Sequence, residues 1–143
     1  FNGFLVLVRG ESCTLGQLAY FCIVANDKCR RIIFFKDYFV EFFLKQRDKV
    51  KRKIIWTFDL IEEFPRVPET YFKHIENAEG LYEIRVQVGG DIFRIFCFFD
   101  AEQLVILANG FQKKTQKTPT IEIQKALTIK KEYENEKKQY NNP

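Results

Sequence analysis

The chain has 143 residues, enough for one domain with a modest core and too few for two. A hydrophobic content of 46% and a charged content of 29% are those of an ordinary soluble globular protein, and a net charge of +4 is too small by itself to announce a polyanion partner. Cys13, Cys22, Cys29 and Cys97 fall at spacings that match no zinc or CxxC pattern, and His74 is the single histidine, so no metal and no cofactor is expected and reduced cytosolic thiols are the simpler reading.

Residues 1–30 read differently from the rest. Phe4 to Val8 is an apolar run, Arg9-Gly10-Glu11 interrupts it, and Leu15 to Ala25 is a second run. Both fall short of the roughly 18–20 residues a membrane span needs. Neither a basic n-region nor a small-residue cleavage site accompanies them, so no signal peptide is expected and the protein is placed in the cytoplasm. The chain begins at Phe1 and contains no Met; residues 1–30 are read as an extension that packs as a hairpin or an extra helix, ahead of a domain over residues 31–143.

From Arg31 the pattern is regular. Ile32 to Phe35 reads as a strand, and Asp37 as the cap of a helix carrying Phe39, Phe42 and Phe43. Lys49 to Phe64 reads as a second helix with Val50, Ile54, Phe58 and Ile61 on one stripe and Trp56 off it, stopped by Pro65 and Pro68. Tyr71 to Ile75 reads as a helical turn. Leu81 to Val88 and Asp91 to Phe99 are two strands joined by Gly89-Gly90, a dipeptide suited to a two-residue hairpin turn. Gln103 to Gln112 is the next strand. After an acid-free cluster of Lys113, Lys114 and Lys117, Thr118-Pro119 reads as a helix cap with proline at the first position. The last helix carries Ile121, Ala126, Leu127 and Tyr133 and fades into a frayed polar tail, Asn135 to Pro143. With 16 Phe and 6 Tyr, the core is expected to be built largely of rings. The order β-α-α-β-β-β-α predicts an α+β domain, an antiparallel-rich twisted sheet with helices packed on one face.

With Gly89-Gly90 as the turn, Val88 pairs with Asp91 and Arg85 lies directly opposite Arg94, among Glu83, Gln87, Ile92 and Phe96. The reverse face carries Tyr82, Ile84, Val86, Phe93, Ile95 and Cys97, an apolar set suited to lie under helices. Like charges facing each other across a ladder cost roughly 0.2–1 kcal/mol. A phosphate between the two guanidinium groups removes the conflict; so does a carboxylate such as Glu83, which is the structural alternative. With Ala101-Glu102 as the next turn, Asn109 pairs with Arg94, and Asn109, Phe111 and Lys113 join the arginine face; a three-residue turn reverses that parity. Two arginines, a lysine and a ring on one face make a phosphate clamp beside a stacking platform, which suits single-stranded RNA. RNA cleavage there needs no metal. The 2′-hydroxyl next to the scissile phosphate is the nucleophile, and fixed cations stabilise the developing charge. A lysine among cations or Glu83 can serve as base, and His74 ranks behind the arginines and lysines.

The runs Gly80-Leu81-Tyr82-Glu83-Ile84-Arg85-Val86, Phe93-Arg94 and Asn109-Gly110-Phe111-Gln112-Lys113-Lys114-Thr115-Gln116-Lys117-Thr118-Pro119 resemble the phage-derived, HigB-type branch of the RelE/ParE toxin superfamily. That branch reads G-L-Y-E-x-R, then an arginine strand, then G-F-x-K-K-T-x-K-T-P before the final helix. The resemblance covers about residues 31–135. It implies a RelE-like fold with two N-terminal helices on one face of the sheet and a C-terminal helix. It also implies a type II toxin that cleaves mRNA on the ribosome and is neutralised by a cognate antitoxin, commonly of helix-turn-helix type. On that resemblance Arg85, Arg94, Lys113 and Lys114 inherit the active-site role. Arg85, Arg94 and Lys113 are taken as the catalytic candidates, and Lys114, Phe111, Lys117 and Lys73 as the RNA-binding ones. The family's acid/base residues vary, and none is assigned. ParE-type members act on DNA gyrase, so a non-enzymatic inhibitor using the same face is the alternative. An inactive relic that keeps the fold is the third.

Overall fold

The computed structural model describes residues 4–6 and 28–142. Among them six strands form one mixed sheet: β1 Phe4–Val6, β2 Arg31–Phe35, β3 Phe72–His74, β4 Leu81–Val88, β5 Asp91–Asp100 and β6 Leu104–Lys113. Their order across the sheet is β1-β2-β6-β5-β4-β3. β2 runs parallel to β6, and every other neighbouring pair is antiparallel. The helices are α1 Tyr38–Leu44, α2 Asp48–Glu63 and α3 Thr120–Asn141. Of the N-terminal extension, β1 pairs with β2; the rest of the expected hairpin or helix, with Cys13 and Cys22, lies outside the described residues.

The apolar stripe on α2 does what its spacing predicts. Val50, Ile54, Phe58 and Ile61 are buried, while Trp56 stays 44% exposed. These residues and Phe39 of α1 pack on Ile84, Val86, Phe93, Ile95 and Cys97, the expected reverse face of the hairpin.

The helices do not share one face. Phe96 and Phe98 of β5, with Ile106 and Ala108 of β6 and Phe35 of β2, form a second buried layer under Ala126, Ile129 and Tyr133 of α3. Residues 93–98 are therefore buried without interruption, as expected of a strand covered on both sides. β5 and β6 carry apolar residues on both faces, so the helices are not confined to the face that β4 makes apolar. The surface bearing the arginines is thus the one α3 packs against.

Local details also differ. Tyr71 to Ile75 is no helical turn: Phe72, Lys73 and His74 form β3, paired with Ile84, Glu83 and Tyr82. Stacking of Phe72 on Tyr82, with centroids 5.2 Å apart, rewards the extended conformation. Asp37 occupies the first cap of α1 without a side-chain cap bond. At the last helix Pro119, not Thr118, is the cap residue. That helix runs through the supposed frayed tail to Asn141. Ile121 is 72% exposed, and Ile129 replaces it in the core. Polar contacts hold the tail. Tyr133 donates to Asp100, Lys137 pairs with Asp100, Tyr38 donates to Glu132, and Lys36 pairs with Glu132 and Glu136. Burial acts to raise the Asp100 carboxyl, but the hydrogen bonds from Lys137 and Tyr133 outweigh it and hold the group below its ordinary value.

Candidate functional site

The hairpin fixes the centre of the site. Gly89 adopts φ +60°, a left-handed conformation that glycine reaches without a Cβ penalty. The β4–β5 ladder runs in the register read from the turn, with Val88 opposite Asp91 and Arg85 opposite Arg94.

A carboxylate does enter between the arginines. Glu83 Oε1 lies 3.4 Å from Arg85 Nε, and Glu83 Oε2 lies 3.7 Å from Arg94 Nε. Two cations share one anion, so the cluster keeps a net positive charge. Arg94 is 5% exposed and donates from Nη1 to the Phe93 carbonyl at 3.1 Å. Arg85, on the open side, donates from Nη1 to the Glu69 carbonyl at 3.3 Å. Both Nε–H groups are buried without a hydrogen-bond partner, which leaves donor capacity at a place where burying an unpaired donor is costly. Burial, and then the charge of Arg85, lower the Arg94 guanidinium from its ordinary value against the opposing pull of Glu83.

On β6 the expected face is reached by another route. Leu104 pairs with Asp100, so Ala101-Glu102-Gln103 is a three-residue turn, with Ala101 at φ +59°. That turn reverses parity, and a bulge restores it. Ile95 pairs with Gly110 and Cys97 with Leu107, so Ala108 and Asn109 together oppose Phe96. Phe111, not Asn109, therefore faces Arg94. Asn109 still points to the α3 side, donating from Nδ2 to the Glu122 carboxylate at 2.8 Å.

The other candidates fall into two groups. Phe111 lies in the arginine row and packs on Phe96, with centroids 5.3 Å apart. Lys113 pairs with Ile92 and is the next residue of β6 on that face. Lys73 is opposite Glu83, one row from the arginines. These are brought together on the sheet. Lys114 and Lys117 stand apart, exposed in the connection to α3. None of the four lysines is in an ion pair among the described residues. His74 pairs with Tyr82 and packs edge-on against its ring at 5.0 Å, on the face away from the arginines. No group of three or more His, Cys, Asp or Glu among the described residues is placed to hold a metal ion.

The family described as Phage derived protein Gp49-like (DUF891) matches residues 41–131. That is more than half of the chain. The chain belongs to this family. It is a toxin-like family of the type II toxin–antitoxin kind, which implies a cognate antitoxin. The match begins in α1, ends in α3 and includes Lys73, Arg85, Arg94, Phe111, Lys113, Lys114 and Lys117. A search of curated proteins found no match. Among the described residues of this Gp49-like chain, no helix is long and apolar enough to cross a membrane.

Sequence reasoning missed one wall of the Gp49-like site. A hollow of about 460 Å³ opens beside the arginines, lined by Lys53, Thr70, Tyr71, Arg85, Val86, Gln87, Gly89 and Arg94. Lys53 is not among the residues that the sequence pattern singles out for the site. Its position off the apolar stripe, one turn before Trp56, was the available signal.

Proposed function

We propose that the protein is a type II toxin of the RelE/HigB kind that cleaves mRNA on the ribosome without a metal. Its partners would be a cognate antitoxin of helix-turn-helix type, the ribosome and mRNA. The observation that carries this reading is the registered Arg85–Arg94 pair, which holds two guanidinium groups around one carboxylate and retains buried donors.

In this reading the scissile phosphate lies against Arg85 and Arg94. Glu83 is a positioning residue that keeps the two cations side by side before substrate arrives. The 2′-oxygen attacks the neighbouring phosphorus, the P–O5′ bond breaks, and a 2′,3′-cyclic phosphate and a 5′-hydroxyl result. The arginines stabilise charge that grows on the non-bridging oxygens, where preorganised donors are most effective. Lys113, the next cation along the face, protonates the leaving 5′-oxygen and is reprotonated as the 2′-hydroxyl gives up its proton to solvent. Lys114, Lys117 and Lys73 attract the RNA backbone, and Phe111 offers a ring edge to a base.

The test is controlled expression with mapping of mRNA ends on translating ribosomes. New ends bearing 2′,3′-cyclic phosphate, lost in Arg85→Ala and Arg94→Ala variants that still fold, are expected. Growth arrest with DNA damage and no new mRNA ends overturns the endoribonuclease reading in favour of gyrase inhibition.

A further inference from the structure

The hollow beside the arginines has a second wall that the cleavage chemistry does not use. Lys53 Nζ stands 3.8 Å from the centroid of the Trp56 ring and 5.9 Å from that of Tyr71. The Trp56 and Tyr71 rings meet edge to face with centroids 5.5 Å apart. Trp56 is 44% exposed, and Lys53 is in no ion pair among the described residues. A cation resting on the exposed Trp56 ring, with the half-buried Tyr71 ring farther off, gains only about 0.5–1 kcal/mol, so the fold has little need of the arrangement. The wall is nevertheless fixed to the arginines. The Arg85 backbone N–H donates to the Tyr71 carbonyl at 2.8 Å, and the Arg85 side chain reaches the Glu69 carbonyl. Tyr71 and Arg85 are therefore tied to each other beside the hollow, which Arg94 of β5 also lines.

We infer that this hollow is a nucleotide subsite for single-stranded RNA, in which a base stacks on Tyr71 and the adjoining phosphate lies between Lys53 and Arg85. The inference rests on the RNA-cleaving reading and extends it to the nucleotide next to the scissile phosphate. An aromatic face beside an unpaired cation is the arrangement that binds an unstacked base and its backbone. Trp56 is the buttress: it holds Lys53 above the hollow and backs the Tyr71 ring. Recognition by a ring face is tolerant of base identity, so the subsite contributes affinity and alignment more than sequence preference.

Trp56 is the single tryptophan of the chain, so its emission reports on this wall alone. The full chain is titrated with a short single-stranded oligoribonucleotide, with an abasic oligomer of equal length, and with inorganic phosphate. The oligoribonucleotide is expected to change Trp56 emission most, the abasic oligomer less, and inorganic phosphate least. Tyr71→Ala should weaken RNA binding roughly 5- to 100-fold, the range that loss of one stacked base produces, and Tyr71→Phe should bind within about twofold of the parent. Lys53→Ala, a change at the helix surface that leaves Tyr71 in place, should weaken binding and flatten its salt dependence. Unchanged RNA affinity in both Tyr71→Ala and Lys53→Ala overturns the subsite, as does an equal emission change with phosphate alone. Cleavage lost in Arg85→Ala and Arg94→Ala while Tyr71→Ala binds normally removes the subsite and leaves the cleavage reading standing. Failure of the parent chain to bind any RNA, including on ribosomes, removes both.

Discussion

Replacing Glu83 by Gln tests the electrostatic core of the site. Its carboxylate oxygens lie 3.4 Å from Arg85 Nε and 3.7 Å from Arg94 Nε, and the side chain is 12% exposed. At an effective dielectric of about 20, a unit pair about 4 Å apart attracts by about 4 kcal/mol, a gain that desolvation partly offsets. Removing one member of a buried pair typically costs about 3–5 kcal/mol. Both separations exceed hydrogen-bond length and the Arg85 side chain is 32% exposed, so the lower end applies, and Glu83→Gln should destabilise the fold by about 3 kcal/mol. The loss arises because Arg85 and Arg94 then repel each other with no anion between them. Phosphate should take that anion's place. At about ten times its dissociation constant it returns about 1.4 kcal/mol, and it should stabilise the variant more than the parent. Urea melts in phosphate and in chloride at matched ionic strength measure both effects. A Glu83→Gln variant as stable as the parent, or a deficit that phosphate does not narrow, refutes the reasoning that these arginines form an anion site.

Four further outcomes follow from the same structure. Arg85→Ala and Arg94→Ala should each lower cleavage by about 10²–10³-fold, read as mapped mRNA ends, with the far-ultraviolet circular dichroism retained. Gly110→Ala should destabilise by about 1–3 kcal/mol, because a Cβ there would sit 2.4 Å from Phe42 Cδ1; Phe42→Ala, destabilising by itself, should cost less in the Gly110→Ala background than in the parent, read in thermal melts. Asp100 is held below its ordinary value in the folded state, so its contribution is present above the unfolded carboxyl pKa of about 4 and is lost as pH falls through the lower folded value. Acid titration of stability should show that loss in the parent and not in Asp100→Asn. Lys114→Ala and Lys117→Ala should each reduce the slope of log affinity for single-stranded RNA against log salt by about 0.7, with no change in the thermal midpoint.

Some of this site was legible in the chain alone. Gly89-Gly90 is a local signal that fixes the register of the two strands it joins, and the period of two then places Arg85 opposite Arg94 with Glu83 on their face and Ile84, Val86, Phe93 and Ile95 on the other. The helical stripe of α2 was legible for the same reason: it depends on spacing within one element. Features that depend on distant contacts were decided by the tertiary structure. Phe111 faces Arg94 because a three-residue turn and a bulge at Ala108-Asn109 combine, and the bulge is met by Phe42 against Gly110 and Glu122 against Asn109. β3 exists because Phe72 finds Tyr82 across the ladder, which no local pattern announces. The polar end of α3 is helical because Asp100, Lys36 and Tyr38, all far away in sequence, hold Tyr133, Lys137, Glu132 and Glu136. The chain by itself determined which side chains the hairpin presents together. Only the folded sheet decided that Arg94 is buried beneath a shared carboxylate and that Lys53 and Tyr71 wall the space beside it, because burial and cross-element contacts are properties of packing and not of sequence period.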